Sequence, residues 1–130
     1  RSFIVKQIFI LVAAALLFSN AQAQDDADLI QVLPDDTQKC ILPASPDAIP
    51  EEASYEDLLA AKKGVADFQG ELGLFRECLK AAEENPDNTE GNKAAIVSSY
   101  NYSVEMEERV AERFNEAVRS YKARKAAAEG

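Results

Sequence analysis

Histidine is absent from this chain, and so is tryptophan. The first absence removes the commonest general base and the commonest metal ligand in one stroke. A serine nucleophile needs a neighbouring base, so the usual hydrolase arrangement is excluded as well. No glycine-rich phosphate loop follows a strand pattern. Positive charge is scarce, with 14 Lys and Arg against 23 Asp and Glu and a net charge of −9. Such a chain repels phosphate backbones and anionic lipid, so nucleic acid is not an expected partner. Long apolar runs are limited to one, at residues 7–18. At about 12 residues it falls short of the roughly 20 that a bilayer span requires.

That run has a context. Arg1 and Lys6 precede it, and Ser19-Asn20-Ala21-Gln22-Ala23 follows it. A basic flank, an apolar centre and a small-x-small end are the three parts of an export signal. Residues 1–23 therefore read as a signal peptide cleaved after Ala23, giving a periplasmic or secreted protein. The alternative is an uncleaved helix that anchors the chain in the inner membrane through residues 3–18. Membrane contact is expected only in that second case. Loss of Arg1 and Lys6 with the leader takes the charge from −9 to −11.

Beyond the leader, residues 24–39 are acidic, with Asp25, Asp26, Asp28, Asp35 and Asp36, and read as a flexible tail. Leu29, Ile30, Val32 and Leu33 are the side chains there that could dock. Residues 40–53 follow as an arm. Pro43, Pro46 and Pro50 forbid a helix and favour an extended, polyproline-like path.

Residues 54–126 carry helical periodicity, interrupted at Asn85-Pro86-Asp87-Asn88. Ser54 with Asp57 approximates a capping box, so a first helix is expected over 54–84. Leu58, Val65, Leu72 and Leu79 repeat every seventh residue, with Ala61, Phe68, Phe75 and Ala82 between them. Thr89 is the expected N-cap of a second helix over 90–126. There Val97, Val104, Ala111 and Val118 repeat at seven, with Tyr100, Phe114 and Tyr121 as partners and Glu107 interrupting. Ile96, Val110 and Ala117 widen that stripe to one side. Two stripes joined by a short loop predict an all-α fold, an antiparallel two-helix hairpin with a coiled-coil seam.

Two cysteines are present, Cys40 and Cys78. In a small exported chain such a pair reads as a disulfide. Free thiols or a redox pair are the alternative, without the C-x-x-C spacing that redox motifs use. Reach supports the bridge. The arm from Cys40 to Ser54 spans about 43 Å at roughly 3.1 Å per residue. The first helix from Ser54 to Cys78 rises about 36 Å. The arm can therefore fold back along that helix, pinned by the disulfide. Ala60, Gly64 and Leu74 share the face of Cys78, and close passage of the arm would account for Gly64 and for Gly70 at its edge.

Cys40 with its Pro-rich stretch ending Ile49-Pro50, then Ala60-Ala61, Cys78-Leu79, Tyr100-Asn101, Phe114-Asn115 and Arg119-Ser120-Tyr121-Lys122, resembles a group of small exported proteins of proteobacteria. These carry a signal peptide, a Cys-x-x-Pro arm and two helices. The resemblance covers roughly residues 40–125 and implies the same hairpin and bridge. It carries no activity over.

Carboxylates cluster at Glu105, Glu107, Glu108 and Glu112, and again at Glu83, Glu84 and Asp87. EF-hand spacing is missing, so they read as a solvated acidic face, with Glu108–Arg113 and Glu112–Arg109 as surface pairs. No catalytic, metal or cofactor-binding residues are assigned and no cofactor is expected. Tyr102 falls outside the stripe, and with Ile96 and Val110 it marks a candidate interface. The expected function is a non-enzymatic exported protein acting through protein–protein contacts, with a protein partner or a second copy. An envelope accessory subunit or adaptor fits best. The alternatives are a periplasmic chaperone or ligand carrier, and an acidic inhibitor of a secreted basic enzyme.

Overall fold

Two reciprocal caps set where the long helices start. The Asp57 N–H donates to Ser54 Oγ at 3.0 Å, and the Ser54 N–H donates to Asp57 Oδ2 at 2.9 Å. Thr89 and Asn92 repeat the exchange at 3.0 Å in both directions. Each pair satisfies two N–H groups that a helix start leaves without partners. The computed structural model describes residues 26–130. They form a short helix α1 (Asp26–Leu29), a 3₁₀ turn (Asp35–Lys39), and two long helices, α2 (Tyr55–Glu83) and α3 (Glu90–Glu129). Between the long helices, Asn88 Nδ2 donates to the carbonyls of Ala82 and Glu83, covering the open end of α2. The expected export signal at residues 1–23 lies outside the described residues.

Asp57 carries a pH signature. Its carboxyl is held below the ordinary value of 3.8, first by the Ser54 backbone N–H and then by the Ser54 hydroxyl. A lowered folded-state pKa means the contribution is present above the unfolded value and is lost as pH falls through the folded one. Asp57→Asn keeps an acceptor but cannot ionise. The variant should unfold at lower urea than the parent at pH 7, and the gap should close as the pH drops below 3.8. Urea midpoints across pH 2–7 check this.

The α2 stripe packs as its spacing predicts. Leu58, Phe68, Leu72, Phe75, Leu79 and Ala82 are buried, and Ala61 and Val65 are half-buried. The seam of α3 is rotated from expectation. Val97 is 49% exposed, and Val104, Ala111 and Val118 are only half-buried. The buried line runs through Ile96, Ser103 and Val110 instead, one residue earlier in each heptad. Its middle member is a serine that is 0% exposed. The core is thus two clusters. Phe75, Leu79, Ala82 and Ile96 form one, with Cys40 and Tyr100 against it; Phe68, Leu72 and Val110 form the other, with Val65 and Met106.

Residues 26–39, the described part of the acidic tail, make hydrogen bonds to the hairpin. Asn92 Nδ2 donates to the Val32 carbonyl at 2.7 Å, and Asn85 Nδ2 donates to Asp36 Oδ2 at 2.6 Å. Thr37 is buried, its hydroxyl donating to the Pro34 carbonyl at 2.7 Å. Leu29, Ile30, Val32 and Leu33 stay exposed, so backbone and polar groups dock this segment, not its apolar side chains.

Gly91 makes the docking possible. A Cβ there would land on the Ile30 carbonyl and lie 3.0 Å from the Asp28 oxygen. The two glycines expected to be crowded, Gly64 and Gly70, are not. At Gly64 a Cβ would meet Pro46 at an ordinary 3.5 Å, and at Gly70 it would meet nothing within 4 Å. The arm does pass Gly64, but neither position requires glycine. Opposite outcomes follow. Gly70→Ala should raise stability by about 1 kcal/mol through helix propensity. Gly91→Ala should release residues 28–37 while the hairpin stays folded. Hydrogen exchange of those amides, together with the melting midpoint, reads both.

Residues 41–50 are free of helix and strand, as three prolines dictate, and Pro43 is buried. The far end of the arm is held by Arg124, whose guanidinium donates to the carbonyls of Glu51 at 3.0 Å and Ala53 at 2.7 Å. Tyr55 and Tyr121 close that end of the hairpin with ring centroids 6.4 Å apart.

Candidate functional site

The Cys40–Cys78 disulfide is formed, with Cα atoms 5.5 Å apart. It fixes the start of the arm on α2, and Arg124 fixes its end on α3. The strut between these anchors defines two recesses. Near the disulfide, a recess of about 390 Å³ is lined by Ile41, Pro43, Leu74, Phe75 and both cysteines, with Lys39 and Glu71 at its edge. Ile41 is 79% exposed and Leu74 is 68% exposed.

Further along lies a larger cleft of about 580 Å³ between the arm and both long helices. Residues 46–51 make one wall. Ala61 and Val65 of α2 and Val110 and Ala117 of α3 make the apolar lining opposite. The cleft exists because those side chains are short. Where Phe68 and Leu72 fill the seam with Val110, no such space remains. Asp47, Glu51, Glu116, Arg113 and Ser120 supply the polar lining. Among the described residues, none of the three carboxylates and not the Arg113 guanidinium has an ion-pair partner.

The expected interface residues separate. Tyr102 is 49% exposed, with the Arg109 guanidinium 5.9 Å from its ring centroid. Ile96 and Val110 lie at 2% and 7% exposure within the two core clusters, so the hairpin itself covers them. They sit on the true seam of α3, which is why they looked like surplus apolar width beside the wrong one. The surface pairs are also redrawn. Glu112 pairs with Arg119 at 2.9 Å, while Arg109 faces Tyr102 and Arg113 faces the cleft.

One constellation was not read from the sequence. Arg76 Nε donates to Ser103 Oγ at 2.8 Å, and its two terminal nitrogens lie 3.3 Å from Glu107 Oε2. Its guanidinium carbon is 5.8 Å from the Tyr100 ring centroid. The Ser103 hydroxyl donates onward to the Tyr100 carbonyl at 2.6 Å. Glu107, which interrupts the apolar repeat, is thus the partner of Arg76 across the hairpin. Arg76 falling between Phe75 and Leu79 was the available signal.

Among the described residues no three acidic or thiol groups gather as a metal site would require, and no helix is long and apolar enough to cross a membrane. Compared with known proteins, the chain matches no family model, no curated protein and no solved structure.

Proposed function

We propose that the chain works after export as a non-catalytic helical module that acts through protein contacts, as an accessory subunit or adaptor of a bacterial envelope. One observation carries this reading. Ile41 on the arm and Leu74 on α2 stand largely exposed in the same recess, held in fixed relation by the disulfide beside them. Exposed apolar side chains on a rigid frame are what a partner can bury at little ordering cost. The disulfide is compatible with an oxidising compartment. Crosslinking of the tagged protein in intact cells, followed by mass spectrometry, tests it. One stoichiometric partner, lost on Leu74→Lys, is the expected result. A partner set unchanged by Leu74→Lys, or no specific partner, overturns it. The same spectra report the first residue of the mature chain.

The larger cleft favours a second reading, a carrier of a small ligand. Its volume of about 580 Å³ falls within the range of small-molecule sites.

A further inference from the structure

We infer that the cleft walled by the arm binds an amphiphilic organic cation, an apolar body bearing an ammonium group. The inference rests on the carrier reading and names the ligand class. Shape comes first. The cleft has an apolar lining of short side chains, Val65 and Val110 among them, that cannot close the space themselves. An apolar body placed there is taken out of water on both sides, by the hairpin and by the arm. The wall is preformed. It contains Pro46 and Pro50, whose φ is fixed, and it is tied down by the disulfide at one end and Arg124 at the other. Little ordering is left for the ligand to drive.

Charge selects the head group. Asp47, Glu51 and Glu116 face the cleft without ion-pair partners among the described residues, against Arg113. Arg124 lies behind the wall, hydrogen-bonded to backbone carbonyls, and even with it the carboxylates outnumber the cations. The net charge of −9 attracts a cation from a distance and repels an anion. An ammonium at the rim meets carboxylates that no internal ion pair occupies, so no existing pair must break to receive it.

Three probes with one apolar body and different heads test this: 4-phenylbutylamine, 4-phenylbutan-1-ol and 4-phenylbutyrate. Each is titrated into the full disulfide-bonded chain and followed by two-dimensional NMR at low and high salt. The amine should bind about tenfold more tightly than the carboxylate at low salt. Its shifts should be confined to residues 46–51 and to the facing turns of α2 and α3. In the Asp47→Asn/Glu116→Gln variant, both positions being exposed, the amine should lose its advantage while the alcohol binds as before. If the alcohol binds in the cleft and the amine binds no better, the cation assignment is overturned and the carrier reading stands. If the carboxylate binds most tightly, Arg113 dominates and the assignment is equally overturned. If no probe shifts the cleft resonances, both readings fall.

Discussion

Replacing Cys40 and Cys78 together by alanine should lower stability by about 4 kcal/mol, the largest effect expected of any change that leaves the core side chains in place. The bond joins positions 38 apart in sequence. In the chain-entropy account, a loop of that size removes roughly 4 kcal/mol of freedom from the unfolded chain. For a domain of about 100 residues, that corresponds to a fall in Tm of roughly 15 °C or more. The hairpin contacts do not pass through the bond, so helicity at low temperature should persist. The arm should not fare as well. Residues 41–50 have no helix or strand of their own, and with the bond gone their nearest hydrogen-bonded ties lie on either side, at Val32 and Asp36 before them and at Glu51 and Ala53 after. Limited proteolysis should therefore cut the arm first. Thiol reduction of the parent should give the same shift in Tm, which separates loss of the bond from loss of the side chains. A shift of only a few degrees would mean that packing alone holds the arm.

That reach is legible in the sequence, because it follows from fixed lengths. Prolines set the rise of the arm and the helix sets its own, so a bridge from Cys40 to Cys78 is a question of arithmetic. The α2 stripe was legible for a similar reason, since Leu58, Leu72 and Leu79 are large, apolar and evenly spaced. The seam of α3 was not. Its centre is Ser103, which a hydropathy pattern counts as polar, and the valines one position on look like the better heptad. Burial of Ser103 becomes intelligible only when Arg76 is seen to donate to it, and that donor sits 27 residues away. Docking of residues 26–39 left no pattern either, because it runs through the Ile30 and Val32 carbonyls and the bare face of Gly91. Backbone contacts have no side-chain period. The cleft leaves no sequence pattern for the converse reason. It is made by what Ala61, Val65 and Ala117 lack, and a missing methylene is silent in a periodicity argument.

Arg76→Met should destabilise the hairpin by about 2 kcal/mol, and Arg76→Met combined with Glu107→Leu should recover most of that loss. The Arg76 side chain is 16% exposed and that of Glu107 28%, so both are largely withdrawn from water between the two core clusters. Removing the arginine alone leaves the carboxylate without its cation and Ser103 without the donor at 2.8 Å. An unpaired, mostly buried charge costs more than a lost surface bridge, which is worth roughly 0–1 kcal/mol. Methionine keeps the apolar stem, so the packing lost is confined to the guanidinium end. Removing both charges leaves an apolar layer that joins the clusters, and such replacements are often neutral or stabilising. Ser103 tolerates this, since its hydroxyl still donates to the Tyr100 carbonyl. Urea unfolding of the parent, both single variants and the double variant gives the coupling directly. A coupling of about 1–2 kcal/mol makes this layer a structural element that sets the register of α3 against α2, because only one alignment brings Arg76 to both partners. A coupling below roughly 0.5 kcal/mol would place the pair with ordinary surface bridges and leave the burial of Ser103 to packing alone.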